Sequence, residues 1–158
     1  MNRTAVVTGA AQGVGLVTAT LLAQCGYEVW LADIQNLDAQ VARLKSAPLR
    51  VRGVSGDVSS EEFARQLAAQ VQADCGGADV LVNNAGISLI AAAEATTAAQ
   101  WQRVMDINLL GPFLLCKHLG AAMLARTNDT PVNAVDLFAT ILELAGTSVG
   151  SRSEQRED

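Results

Sequence analysis

The chain has 158 residues, 50% of them hydrophobic and 17% charged, which allows one packed core and excludes wholesale disorder. Its net charge of −5 and pI near 4.8, with no basic stripe, argue against nucleic acid as a partner. No apolar run of about 18 residues escapes polar interruption, so no membrane partner is expected. The start, Met1-Asn-Arg-Thr4, leads straight into a strand pattern and leaves no room for a signal peptide. Cys25, Cys75 and Cys116 are scattered and odd in number, so reduced thiols and a cytoplasmic location are expected.

Strand and helix patterns then alternate along the chain. Thr4–Val7 reads as a first strand, and 13–24 as a helix with Val14, Val17, Leu21 and Leu22 at helical spacing and Gly26 as its stop. Tyr27–Ala32 reads as a second strand ending at Asp33. Leu37, Val41 and Leu44 mark a short helix closed before Pro48. Leu49–Val54 is a third strand, less apolar and so nearer a sheet edge. Ser59-Ser-Glu-Glu62 predicts a capping box, and the helix behind it sets Phe63, Leu67 and Val71 on one face before Gly76-Gly77. Asp79–Val82 is a fourth strand. Thr97-Ala-Ala-Gln100 predicts a second capping box, opening a long apolar helix to about Ala125. Such alternation predicts an α/β fold, a Rossmann-like doubly wound parallel sheet of about four strands. After Arg126 the pattern changes: 127–150 reads as an appended helix, with Val135, Phe138, Leu142 and Ala145 on one side, and 151–158 as a flexible tail.

The densest signal is Thr8-Gly-Ala-Ala-Gln-Gly-Val-Gly15, a glycine-rich turn between a strand and a helix. Such a turn cradles phosphate, because glycines let backbone N–H groups approach and the helix N-terminus adds partial positive charge. Glycine turns also serve packing alone. Asp33 ends the second strand, where a carboxylate can accept from ribose hydroxyls and would repel a 2′-phosphate. No Lys or Arg lies in the loop or just after Asp33, so NAD is expected over NADP. A solvated strand end is the plainer account of Asp33. Asp57 could accept from an adenine amino group while Val58 packs on the ring, and a turn aspartate is the plainer account there. In Asn83-Asn-Ala-Gly86, small residues allow close approach and asparagine amides can tie neighbouring strands together. Asn108 stands four residues before Pro112, which has no N–H to donate to its carbonyl, so the helix should bend there.

Jointly, in this order and spacing, these motifs resemble the N-terminal half of the short-chain dehydrogenase/reductase family over about residues 3–126. The resemblance implies that Gly9, Gln12, Gly13, Val14 and Gly15 line the pyrophosphate of a bound NAD. Asp33 and Ile34 would hold the adenine ribose, Asp57 and Val58 the adenine, and Asn84, Ala85 and Gly86 the nicotinamide ribose. It also implies that the Asn108 carbonyl holds a water in a proton relay; a kink made for packing is the alternative. The family's relay ends in a Ser, a Tyr and a Lys, the last two four residues apart. Here Tyr27 is the only tyrosine and no Tyr-x-x-x-Lys occurs, so turnover is doubtful. Ser88, His118 and Cys116 read as loop, structural and filler residues. The 132–146 stretch is unlike the family and is somewhat similar to a short helical segment of the sulfatase/alkaline-phosphatase superfamily, without that family's nucleophile motif.

Three readings follow. One is an NAD-dependent oxidoreductase interconverting alcohol and ketone. The second is a non-catalytic dinucleotide-binding fragment, or a truncated or chimeric reading frame. The third is an interaction module, associating as a homo-oligomer through the 98–125 helix or the exposed edge of the sheet.

Overall fold

A computed structural model describes residues 3–126, the side chains of 125 and 126 excepted. The expected 127–150 helix and the tail lie outside the described residues. Four strands, β1 (Thr4–Thr8), β2 (Glu28–Asp33), β3 (Val51–Ser55) and β4 (Val80–Val82), form one sheet in the order β3-β2-β1-β4. All three pairings are parallel: Val6 lies opposite Trp30 and Leu81, and Leu31 opposite Gly53. This is the arrangement that strand–helix alternation predicts, with the less apolar β3 at one edge. Among the described residues β4 forms the other.

Successive strand residues face opposite sides, so each strand feeds two cores. Ala5, Val7, Val29 and Leu31 pack with Ala19 and Ala23 of α1 (Gly13–Gln24) and with Leu37 and Leu44 at α2 (Asp38–Ser46). Val6, Trp30 and Ala32 pack on the other side against Phe63, Leu67 and Val71 of α3 (Glu61–Cys75), as their helical spacing predicts. Ile107, Leu114, Leu115 and Leu119 complete that second core. Helices on both faces explain why the two central strands are apolar on both sides.

Three local expectations change and one holds. The buried stripe of α1 is Gly15, Ala19 and Ala23, while Val14, Val17 and Leu21 are exposed among the described residues. These small residues are the fully buried ones, while Leu16 and Leu22 pack partly buried against the same core. The cap of α3 is Ser60, not Ser59: its Oγ accepts from the Phe63 amide, and Glu62 pairs with Arg65 instead of closing a box. The Thr97/Gln100 capping box does form, in both directions. The long helix is divided into α4 (Ala98–Met105), a π-helical turn over Asp106–Leu110 and α5 (Gly111–Arg126). A proline that cannot donate to the Asn108 carbonyl is accommodated by this wider turn.

By length and mean hydropathy the 98–124 stretch could cross a membrane, although polar residues interrupt its apolar runs. Here it packs into the second core through Ile107, Leu114, Leu115 and Leu119, and Arg103–Asp57 and Lys117–Glu61 ion pairs tie it to the β3–α3 turn and the start of α3.

Candidate functional site

The strand order turns at β1: the chain leaves β1 for β2 on one side and reaches β4 on the other. Crevices for ligands form beyond the strand ends at such a point. The glycine loop follows β1 and the Asn83–Gly86 segment follows β4, so the topology brings the two strongest motifs to one place.

The three glycines do different work. Gly9 has φ +64°, and a Cβ there would lie 2.8 Å from Asn84 Nδ2 and 2.9 Å from the Ala85 Cα. Gly15 is buried, and a Cβ there would meet the Gly9 carbonyl oxygen at 2.2 Å. These two let loop, helix and β4 segment close on one another. Gly13 also has positive φ, +58°, yet nothing lies within 4 Å of its Cβ direction. It faces open space at the start of α1. Gln12 precedes the helix in extended conformation with no side-chain cap, and the first turn carries no acid. The helix therefore presents uncapped N–H groups and its positive end to the crevice, beside a glycine that leaves room.

The loop is fastened at each end. Thr8 Oγ1 accepts from the amides of Asn84 (3.1 Å) and Ala85 (3.0 Å) and donates to the Val82 carbonyl (3.3 Å). Asn84 Nδ2 donates to the carbonyls of Thr8 (2.9 Å) and Gly9 (3.2 Å). The asparagine thus ties β1 to β4, as the double-Asn motif predicts, and Thr8 is the residue that sequence reasoning passed over. A threonine that closes the apolar run Ala5–Val7 just before the glycine loop is the signal that could have found it. Asn83 turns elsewhere, its Nδ2 lying 3.5 Å from Cys116 Sγ.

Asp33 is buried at the end of β2, its carboxylate held by two amides: Ala11 N donates to Oδ2 (2.9 Å) and Gln35 N to Oδ1 (3.0 Å). It is not a freely solvated strand end. Each oxygen keeps a further lone pair for a hydroxyl donor. Ile34 and Val14 are 65% and 73% exposed, so both present apolar surface beside the loop and the Asp33 corner.

The Asp57-Val58 pair departs from expectation. Asp57 Oδ1 accepts from Ser59 N (2.9 Å) and Ser59 Oγ (2.6 Å), while Oδ2 pairs with Arg103 of α4 at 3.0 Å. Burial pushes this carboxyl up, but the Ser59 hydroxyl and amide and the Arg103 guanidinium outweigh it and hold the group below its ordinary value. Its first role is to join the β3–α3 turn to α4. The Val58 side chain is 7% exposed, inside the core against Gly111, and so cannot spread over an adenine ring. Only the backbone of that residue is left for such contact.

Asn108 sits in the π-helical turn. Its Oδ1 accepts from Ile87 N (2.9 Å) and its Nδ2 donates to the Ile87 carbonyl (2.8 Å), strapping the segment after Gly86 to the helix. Gly86 and Ser88 are exposed on that segment. Tyr27 begins the opposite end of the sheet, against Arg3, far from the crevice. His118 and Lys117 share Glu61 Oε1, at 3.2 and 2.6 Å, and lie outside the crevice. Among the described residues no group of acidic, His and Cys side chains could hold a metal.

The short chain dehydrogenase family model matches residues 3–135. The chain is 39% identical over 129 residues to a short-chain dehydrogenase/reductase, eriH, of Hericium erinaceus, covering 77% of this chain and 51% of that one. It is 32% identical to the NAD-dependent glycerol dehydrogenase of Listeria innocua, over 89% of this chain and 55% of that one. A metagenomic short-chain oxidoreductase solved with NADP superposes with a TM-score of 0.73 at 32% identity, covering 78% of this chain and 57% of that one. The chain spans about half the length of the curated relatives it matches. With the parallel 3-2-1-4 sheet, the glycine loop at its switch point and a family match over most of its length, the chain belongs to the short-chain dehydrogenase family and carries its nicotinamide-dinucleotide-binding Rossmann fold.

Proposed function

We propose that these 158 residues bind NAD(H) in the crevice between the ends of β1 and β4, as the nucleotide-binding part of an alcohol/ketone oxidoreductase. One observation carries the reading: an uncapped helix N-terminus with an open glycine, Gly13, beside an anchored Asp33. Gly9, Gln12, Gly13, Val14 and Gly15 would flank the pyrophosphate, Asp33 and Ile34 the adenine ribose, and Asn84, Ala85 and Gly86 the nicotinamide ribose. Bound NAD(H) supplies the hydride chemistry; the chain's residues hold and orient it.

Although a similar solved structure holds NADP, the preference follows from this chain's own residues. Two backbone amides prevent Asp33 from swinging aside for a 2′-phosphate, and neither the loop nor residues 34–36 offer a Lys or Arg. Proton transfer is a separate matter. Tyr27 is the single tyrosine, at the far end of the sheet, so the reading is binding without efficient turnover by these residues alone. Free Cys25, Cys75 and Cys116 suit a reducing, cytoplasmic setting.

Calorimetric titration with NADH and NADPH tests this reading. Saturable NADH binding, weaker for NADPH and lost in Asp33→Ala, is expected. No binding at millimolar NADH overturns it. A second reading, self-association, is favoured by exposed Leu109, Phe113 and Leu124 on one helical face; sedimentation at increasing concentration checks it.

A further inference from the structure

We propose that Gln40 is a positioning residue for the dinucleotide, holding the glycine loop at the height a pyrophosphate needs through the Ala11 carbonyl. This inference rests on the reading of the crevice as a dinucleotide site and deepens it. Gln40 belongs to α2, 29 positions away from the residue it touches: its Nε2 donates to the Ala11 carbonyl at 2.9 Å. The Ala11 amide donates in turn to Asp33 Oδ2 at 2.9 Å. Ala11 is therefore gripped at both its N–H and its C=O, by two side chains from the end of β2 and from α2. Ala10 adds a backbone bond to the Ala32 carbonyl at 3.3 Å. The next residues are Gln12 and Gly13, where α1 starts and the open face of the crevice lies. A shift of Ala11 moves those N–H groups directly.

The other end of the Gln40 amide makes this more than routine packing. Its Oε1 is shut off from the surface and has no hydrogen-bond partner among the described residues. A buried acceptor without a donor costs about as much as, or more than, one neutral hydrogen bond returns. For folding alone an unbranched apolar side chain of the same length would serve as well. Local rules are broken in this way where a site needs a group in place. The loop explains the need, since Ala11 has no other described donor for its carbonyl that could resist its movement when the pyrophosphate draws on the amides beyond it.

The test compares the wild-type chain with Gln40→Met, which keeps length and shape and removes both ends of the amide. Three quantities are read: NADH affinity by calorimetry well below the melting temperature, the melting temperature without cofactor, and amide hydrogen exchange at residues 9–13. A loss of affinity of about 3- to 10-fold is expected, the worth of one neutral hydrogen bond. Faster exchange at 9–13 should accompany it, with the cofactor-free melting temperature unchanged or higher. Unchanged affinity overturns the proposal. So does a loss of affinity that comes with a lower melting temperature, which is what general loosening gives. If the wild-type chain itself fails to bind NADH, both this inference and the proposed function fall; if it binds and Gln40→Met binds equally well, only this inference does.

Discussion

The three glycines of the loop should fail in different ways when each gains a methyl group. In Gly15→Ala the new Cβ would lie 2.2 Å from the Gly9 carbonyl oxygen and 2.5 Å from Asn84 Nδ2. The nearest atom is backbone, fixed by the Asn84 bonds to the Thr8 and Gly9 carbonyls, so it cannot rotate away. Overpacking of this kind costs about 1–3 kcal/mol, and a clash with tied backbone belongs at the upper end. For a chain of this size about 3 kcal/mol lowers the melting temperature by roughly 6–12 °C. In Gly13→Ala nothing lies within 4 Å, so the cost comes only from φ +58°, about 1 kcal/mol or roughly 2–4 °C. Its methyl, however, projects where a phosphate would approach, and NADH affinity should fall roughly tenfold or more, about 1.4 kcal/mol in binding. Thermal melting without cofactor and calorimetric NADH titration of both variants decide the matter. If Gly13→Ala is the less stable variant, or retains wild-type affinity, then Gly13 is a packing glycine and the cradle has been assigned to the wrong residue.

Other outcomes follow from the same geometry. Asp33→Ser removes the acceptor of the Ala11 amide and the negative charge at the ribose, so NADH affinity should drop while the ratio of NADPH to NADH affinity rises; an unchanged ratio in competitive titration refutes the charge argument. Asp57 is held below its ordinary value in the folded chain, so its contribution is present above the unfolded value of about 3.9 and lost as pH falls through the lower folded one. Asp57→Asn should flatten the acid limb of a stability-versus-pH curve below about pH 4 and leave its slope near neutrality unchanged; an identical acid limb in both proteins counts against the pairing with Ser59 and Arg103. Asn108→Ala deletes both bonds to the Ile87 backbone and should cost about 1–2 kcal/mol, with faster exchange of the Ile87 amide as its local signature. Exchange at Ile87 that does not change would mean that the strap is not what holds this segment.

What the sequence made legible is what the backbone alone decides. Alternating strand and helix patterns led to four parallel strands with β3 at an edge, because apolar period and glycine stops act locally. The Thr97/Gln100 box is equally local, three residues across one helical turn, and it forms as read. Side chains whose partners come from distant elements were not legible. Ser60 rather than Ser59 caps α3 because Asp57 has already engaged the Ser59 amide and hydroxyl, and Asp57 does so while holding Arg103, 46 positions along. No local pattern encodes that competition. The Val58 side chain is buried for a related reason: it fills the space left at Gly111, where α5 begins, and only the packing of segments far apart in the chain reveals it.

The α1 helix sharpens the point. Its large apolar residues suggested the buried face, yet Val14, Val17 and Leu21 stand exposed while Gly15, Ala19 and Ala23 meet the sheet. Apolar size normally marks the face that burial stabilises. Here Gly15 stands in place of any side chain against the Gly9 carbonyl, so the separation at this end of the helix is set by the loop, and small residues take the fully buried positions while Leu16 and Leu22 are only partly buried. The same tight loop that brings uncapped N–H groups to the crevice therefore dictates which side of the helix is packed. Binding geometry and core packing at this end of the sheet are one constraint, and the loop's length and glycines, not the hydrophobicity of the helix, carry it.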